Sequence, residues 1–106
     1  MAVATKLERD PVELDPKHYT VEAENDDIRI VRIRYGPNES SVMHQHRPGV
    51  GVFLTDANVT FTWPDGRVEQ ITAKKGEVMK FDEAWEHNSA NAGDQNFEAV
   101  YVELKR

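Results

Sequence analysis

The sequence predicts an all-β fold, an antiparallel barrel of the double-sheet jelly-roll kind, and three observations carry that prediction. Short runs of β-branched and aromatic residues recur along the chain, no stretch keeps a helical period, and turn-forming clusters divide the runs at close intervals. No run is long enough to bury a core alone, so about eight or nine of them must pack as two sheets or a closed barrel.

The elements follow in order. Residues 28–35 form the first clear run and stop at Gly36-Pro37-Asn38, a turn sequence. Runs at 42–46 and 50–55 are divided by Arg47-Pro48-Gly49. Residues 59–63 alternate Val59, Phe61 and Trp63 against Thr60 and Thr62, turn through Pro64-Asp65-Gly66 and return at 67–72, the clearest hairpin in the chain. After Lys74-Lys75-Gly76 come runs at 78–81, 86–90 and 97–104, the last two separated by Asn91-Ala92-Gly93-Asp94.

Length and composition bound what this fold can do. The 106 residues make a single domain, read as an N-terminal arm over residues 1–16, charged and carrying Pro11 and Pro16, and one barrel over residues 17–106. A net charge of −6 leaves no basic stripe for phosphates, so neither nucleic acid nor an anionic membrane is an expected partner. There is no cysteine, which removes disulfides, thiolate ligands and cysteine nucleophiles together. Residues 1–16 have no apolar run of signal-peptide length, and no segment approaches the roughly 20 apolar residues of a membrane span. A cytoplasmic location is the expectation.

Histidine placement carries the functional reading. Three of the four histidines fall in two short segments, His44-Gln45-His46 and His87. On a strand, His44 and His46 point to one face, roughly 6 to 7 Å apart at Cα, so both rings can meet one ion. Taken alone, the pair is better read as two polar residues facing solvent; the second segment is what turns the reading toward metal ligation.

These elements and spacings resemble the small single-domain cupins over roughly residues 28–104. The first cupin motif runs glycine, five residues, His-x-His, three or four residues, glutamate, six residues, glycine. The second runs glycine, five residues, Pro-x-Gly, two residues, His, three residues, Asn. His44 and His46 fit the first, and Gly76, His87 and Asn91 fit the second at the correct spacing. The glutamate falls at Val50 or Gly51, neither of which can bind a metal; the first-motif glycines become Asn38 and Ala57, and the Pro-x-Gly becomes Asp82 and Ala84. The resemblance implies one divalent transition metal, iron, zinc, nickel or manganese, held by His44, His46 and His87, and a small organic substrate. It also implies a homodimer paired through edge strands and the arm.

The missing carboxylate shapes the chemistry. Zinc on three imidazoles suits hydrolysis or hydration at neutral pH. Ferrous iron is usually held by two histidines and one carboxylate; a three-histidine site also occurs among cupin dioxygenases, which makes a non-haem oxygenase the leading expectation. A metal-free module that binds a small molecule without catalysis is the alternative. Val50, Phe53, Phe61, Trp85 and Tyr101 are expected to line an apolar pocket, with Phe97 adding aromatic surface. Asp82, Glu83 or Glu86 could replace the lost carboxylate, although Glu86, next to His87, should face the other way. Asn91 is expected to cap its turn and His18 to be exposed. Arg32 and Arg34, opposite Val31, Ile33 and Tyr35, should form a solvated or dimer-facing surface. No nucleophilic Ser-His-Asp arrangement can be read, and Gly49 and Gly51 lack the third glycine and the helix of a phosphate loop.

Overall fold

One short helix and nine strands organise the computed structural model, which describes residues 7–105. They are α1 (Pro11–Leu14), β1 (Tyr19–Glu24), β2 (Ile28–Tyr35), β3 (His44–His46), β4 (Gly49–Phe53), β5 (Ala57–Thr62), β6 (Val68–Ala73), β7 (Val78–Phe81), β8 (Trp85–Asn91) and β9 (Phe97–Leu104). Two antiparallel sheets face each other, ordered β1-β2-β9-β4-β7 and β3-β8-β5-β6. This is the double-sheet jelly roll that the sequence predicts.

Alternation decides which side chains enter the core. Along β9, Phe97, Ala99, Tyr101 and Glu103 are buried while Glu98, Val100 and Val102 are only partly so. From the other sheet, Val59 and Phe61 of β5 meet Tyr19, Val31, Tyr35, Phe53 and Phe97 in one cluster. The β5–β6 hairpin turns where predicted: Asp65 accepts a hydrogen bond from the Arg67 amide at 3.0 Å, and Gly66 takes φ +90°, a conformation that favours glycine. Gly49 is required for a different reason, since a Cβ there would lie 2.1 Å from the Val102 carbonyl oxygen.

Three elements depart from the sequence reading. β1 was not anticipated; only Tyr19 of its six residues is buried, and a register shift between Val21 and Ala23 breaks its period. α1 is a single turn that exists because Asp10 caps it, accepting from the Val12 amide at 3.0 Å, with Pro11 at its first position. The third is His18, expected exposed, which is 5% exposed and stacked on Tyr35 at 4.2 Å. Its two ring nitrogens lie 2.7 Å from Asp15 and 3.1 Å from Glu39, so these carboxylates supply the partners that solvent would otherwise have given.

Of the arm expected over residues 1–16, residues 1–6 lie outside the described residues. Residues 8–10 run beside the free edge of β3: the Gln45 amide donates to the Arg9 carbonyl at 2.8 Å, and the Gln45 side chain accepts from the Glu8 and Arg9 amides at 3.1 Å each. Asp10 then receives both terminal nitrogens of Arg29 at 2.8 and 2.9 Å. Arg29 also binds Glu103, which accepts from Arg47 at 2.8 Å, so a buried chain of alternating charges ties the arm to β2, β9 and the β3–β4 link.

Candidate metal centre

β3 and β8 bring the histidines together through their register. Antiparallel pairing sets His44 opposite His87 and His46 opposite Trp85, and directly opposed residues share a face. All four rings therefore project into the barrel. The three histidines are 0%, 4% and 2% exposed in chain order, and one ligand atom from each falls within 4.8 Å of the others. Nε2 of His44 is 3.0 Å from Nε2 of His46, which is 3.2 Å from Nε2 of His87.

Burial keeps these rings neutral. It pushes the His44 pKa down to about 4, against a smaller upward pull from the Val42 carbonyl, and holds His46 and His87 well below the usual imidazole range, with the neighbouring imidazoles adding to the effect. Nδ1 of His44 donates to the Val42 carbonyl at 2.6 Å, which leaves its Nε2 a bare base. Nε2 of His46 stands in both short contacts, and a neutral ring nitrogen either donates or accepts. If it accepts from His87 it faces the bare nitrogen of His44; if it donates to His44, no proton is left for the contact with His87. One of the two contacts is left without a hydrogen bond in either case.

A cation at the centre removes that conflict. Metal–nitrogen bonds of about 2.0–2.1 Å place neighbouring ligand atoms about 3.0–3.4 Å apart at ordinary coordination angles, which fits the two short separations here. Nδ1 of His87 is buried with no hydrogen-bond partner, an outer position that metal-ligating histidines usually satisfy. The donor set is all nitrogen. Asp82 and Glu83 are exposed in the β7–β8 turn, and Glu86 pairs across from Gln45 on the outer face, 3.8 Å from Arg9, so none replaces the lost carboxylate.

The rings are fixed by their surroundings. Trp85 stacks on His46 at 4.5 Å and on Phe81 at 3.8 Å, and its indole N–H donates to the Tyr101 hydroxyl at 3.1 Å. That hydroxyl in turn donates to the Arg47 carbonyl at 2.5 Å. Phe61 meets His87 edge-on at 4.3 Å. Asn91 clamps its turn, accepting from the Gly93 amide at 2.9 Å and donating to the carbonyls of Gly36 and Gln95.

Beside the imidazoles lies a cavity of about 60 Å³, bordered by His46 and His87. Phe53, Phe61, Trp85, Phe97 and Tyr101 line it; Val50, expected there, does not. Val50 sits opposite Lys80 and Val102 on the outer face of its sheet, and Gly51, one residue on, is the inward position. A Cβ on Gly51 would touch the Tyr101 ring at 3.5 Å, so an aromatic ring occupies the space beside the missing carboxylate. The sequence reading also missed Tyr19, Tyr35 and Ser89 on the cavity wall. Period-two phase from His87 would have placed Ser89 there; nothing local marked the tyrosines.

Fold and site together define a jelly-roll protein with an inward, all-imidazole cluster that could hold a metal ion. No family model and no curated protein sequence matches the chain. Solved structures do match it. A cupin domain from Bordetella pertussis Tohama I is 26% identical with a TM-score of 0.76, over 83% of this chain and 92% of its own. A cupin superfamily protein from Desulfitobacterium hafniense DCB-2 is 14% identical with a TM-score of 0.63, over 100% of this chain and 84% of its own. An RmlC-like cupin from Shewanella frigidimarina NCIMB 400 is 12% identical with a TM-score of 0.57, over 83% and 75%. The chain has the fold of the small cupins.

Proposed function

We propose that the protein is a metal-dependent cupin in which Nε2 of His44, His46 and His87 hold one divalent transition metal, and that it acts on a small organic molecule as a non-haem oxygenase. The observation that carries this reading is the convergence of three buried, uncharged imidazole nitrogens on the wall of an otherwise apolar cavity. The metal, when bound, supplies coordination positions for substrate and O₂. The protein's own residues do the rest. Aromatic and aliphatic walls exclude bulk water, which strengthens every electrostatic contact inside, and the Trp85–Tyr101–Arg47 hydrogen bonds hold His46 in one orientation. Elemental analysis of purified protein tests the reading: one equivalent of a transition metal is expected, together with substrate-dependent O₂ uptake across a panel of small enolisable compounds. Metal without O₂ uptake would redirect the assignment to hydrolysis or hydration.

One observation favours a second reading, a metal-free module that binds a small molecule. No carboxylate among the described residues reaches the cluster, so a bound divalent ion would keep its full charge in an apolar setting. Native mass spectrometry that finds no metal after expression in supplemented medium would establish this alternative.

We also place the protein in the cytoplasm as a homodimer. No helix among the described residues is long and apolar enough to cross a membrane. Ile28, Ile30, Val50, Val52, Val100 and Val102 share the outer face of the five-stranded sheet by register. The Arg32, Arg34, Glu22 and Glu98 side chains at its end are already paired with one another, so a second identical face needs no countercharge. Light scattering should report a dimer that Val102→Glu converts to monomer.

A further inference from the structure

The cavity has a second polar corner besides the imidazoles. The hydroxyls of Tyr19 and Tyr35 are 2.6 Å apart, and each is 3.2 Å from the Ser89 hydroxyl. All three residues are at most 4% exposed, all three border the cavity, and they come from β1, β2 and β8, so both sheets contribute to one point. Tyr19 packs against His44 at 4.9 Å and His46 at 6.0 Å, which sets the corner beside the candidate metal ligands. Tyr35 is clamped between His18 at 4.2 Å and Phe97 at 5.0 Å, so its hydroxyl cannot swing away.

The chemistry of this corner is specific. Both tyrosines carry a phenolic proton at neutral pH and can act as donors. The Ser89 hydroxyl, whose contacts with Tyr19 and Tyr35 are both long, is the one most readily turned toward a ligand. Elsewhere on the cavity wall the remaining hydroxyl, that of Tyr101, is already committed to Arg47 and Trp85. Among the described residues no Lys, Arg, Asp or Glu borders the cavity, so an anionic head group would find no countercharge there. A water needs about 10–15 Å³ measured in this way, which limits an occupant of about 60 Å³ to a handful of heavy atoms.

We propose that Tyr19, Tyr35 and Ser89 form an oxygen-recognition corner, which holds the carbonyl or enol oxygen of a compact, uncharged substrate while the aromatic walls take its hydrocarbon body. This names the substrate class for the metal-dependent reading above and places the substrate oxygen next to the imidazole cluster. The corner does not itself need a metal to bind a ketone. It can therefore be tested on metal-free protein, where its failure is distinct from failure of the metal assignment.

The experiment is an NMR titration of chelator-treated protein with three small probes of equal size: acetone, isobutene, which replaces the oxygen with CH₂, and acetate, which is anionic. Acetone should bind with shifts centred on Ser89 and Tyr19, about fivefold or more tighter than isobutene, and acetate should not bind. Ser89→Ala and Tyr19→Phe should each bring the ketone affinity down to that of the hydrocarbon and leave the hydrocarbon unchanged. The hydrocarbon thereby reports that the cavity is intact in each variant. Equal affinity for ketone and hydrocarbon, tighter binding of acetate, no binding of any probe, or ketone affinity unchanged in both variants would overturn the proposal.

Discussion

Two buried polar regions of this barrel solve the same physical problem in opposite ways. The Asp10–Arg29–Glu103–Arg47 chain encloses opposite charges that satisfy one another through short hydrogen bonds. The His44–His46–His87 cluster encloses three bases with no acid among them, and one of its two short contacts is always left without a hydrogen bond. The first region is complete as folded; the second keeps a donor–acceptor mismatch that a bound cation would remove. Burial alone therefore does not mark function. An unbalanced set of donors and acceptors does.

The comparison can be broken first at the histidines. His87→Ala should abolish stoichiometric metal binding while the fold persists, read by elemental analysis and circular dichroism; unchanged metal content would remove His87 from the ligand set. At the ion chain the expected damage is the reverse. Glu103→Ala leaves two buried guanidiniums without their shared partner and should cost about 3–5 kcal/mol in denaturant unfolding, with metal stoichiometry retained.

Acid should sharpen the contrast further. The folded pKa of His44 lies near 4, below the 6.5 of an unfolded histidine, so below pH 6.5 the unfolded chain takes up a proton that the folded one refuses. Stability of the metal-free protein is full above pH 6.5 and lost as pH falls toward 4, by roughly 3 kcal/mol from His44 alone. His46 and His87 are shifted the same way and add to the slope. His44→Gln should flatten the pH dependence of unfolding over that window, and an unflattened profile would reject the assignment. The smallest effect is expected on chelation at neutral pH: the aromatic core is independent of the ion, so the melt should stay cooperative and shift by only a few degrees.

How much of this was legible in the sequence follows from the range of the interactions involved. Alternation and turn residues are local, and they located eight of the strands; β1 escaped because its pattern is broken by a bulge and five of its six residues are exposed. His44, His46 and His87 could be related through period two and motif spacing, both visible in one dimension. The phase of β4 could not be read: choosing Val50 over Gly51 is a one-residue slip, and it sends a side chain to the opposite face. Glu103 and the tyrosine hydroxyls owe their burial to partners between 16 and 74 positions away, which no local pattern encodes, and His18 has Glu39, 21 positions on, besides the nearby Asp15.

The strap that residues 8–10 lay along β3 has a practical consequence. β3 has three residues, two of them histidines of the cluster, and it is hydrogen-bonded by β8 on one side and by the strap on the other. Peeling the strap off would bare a backbone ready to recruit a foreign strand. Affinity handles and fluorescent fusions therefore belong at the C-terminal end, and a preparation nicked near Glu8 should be judged by its tendency to clump before its metal content is trusted.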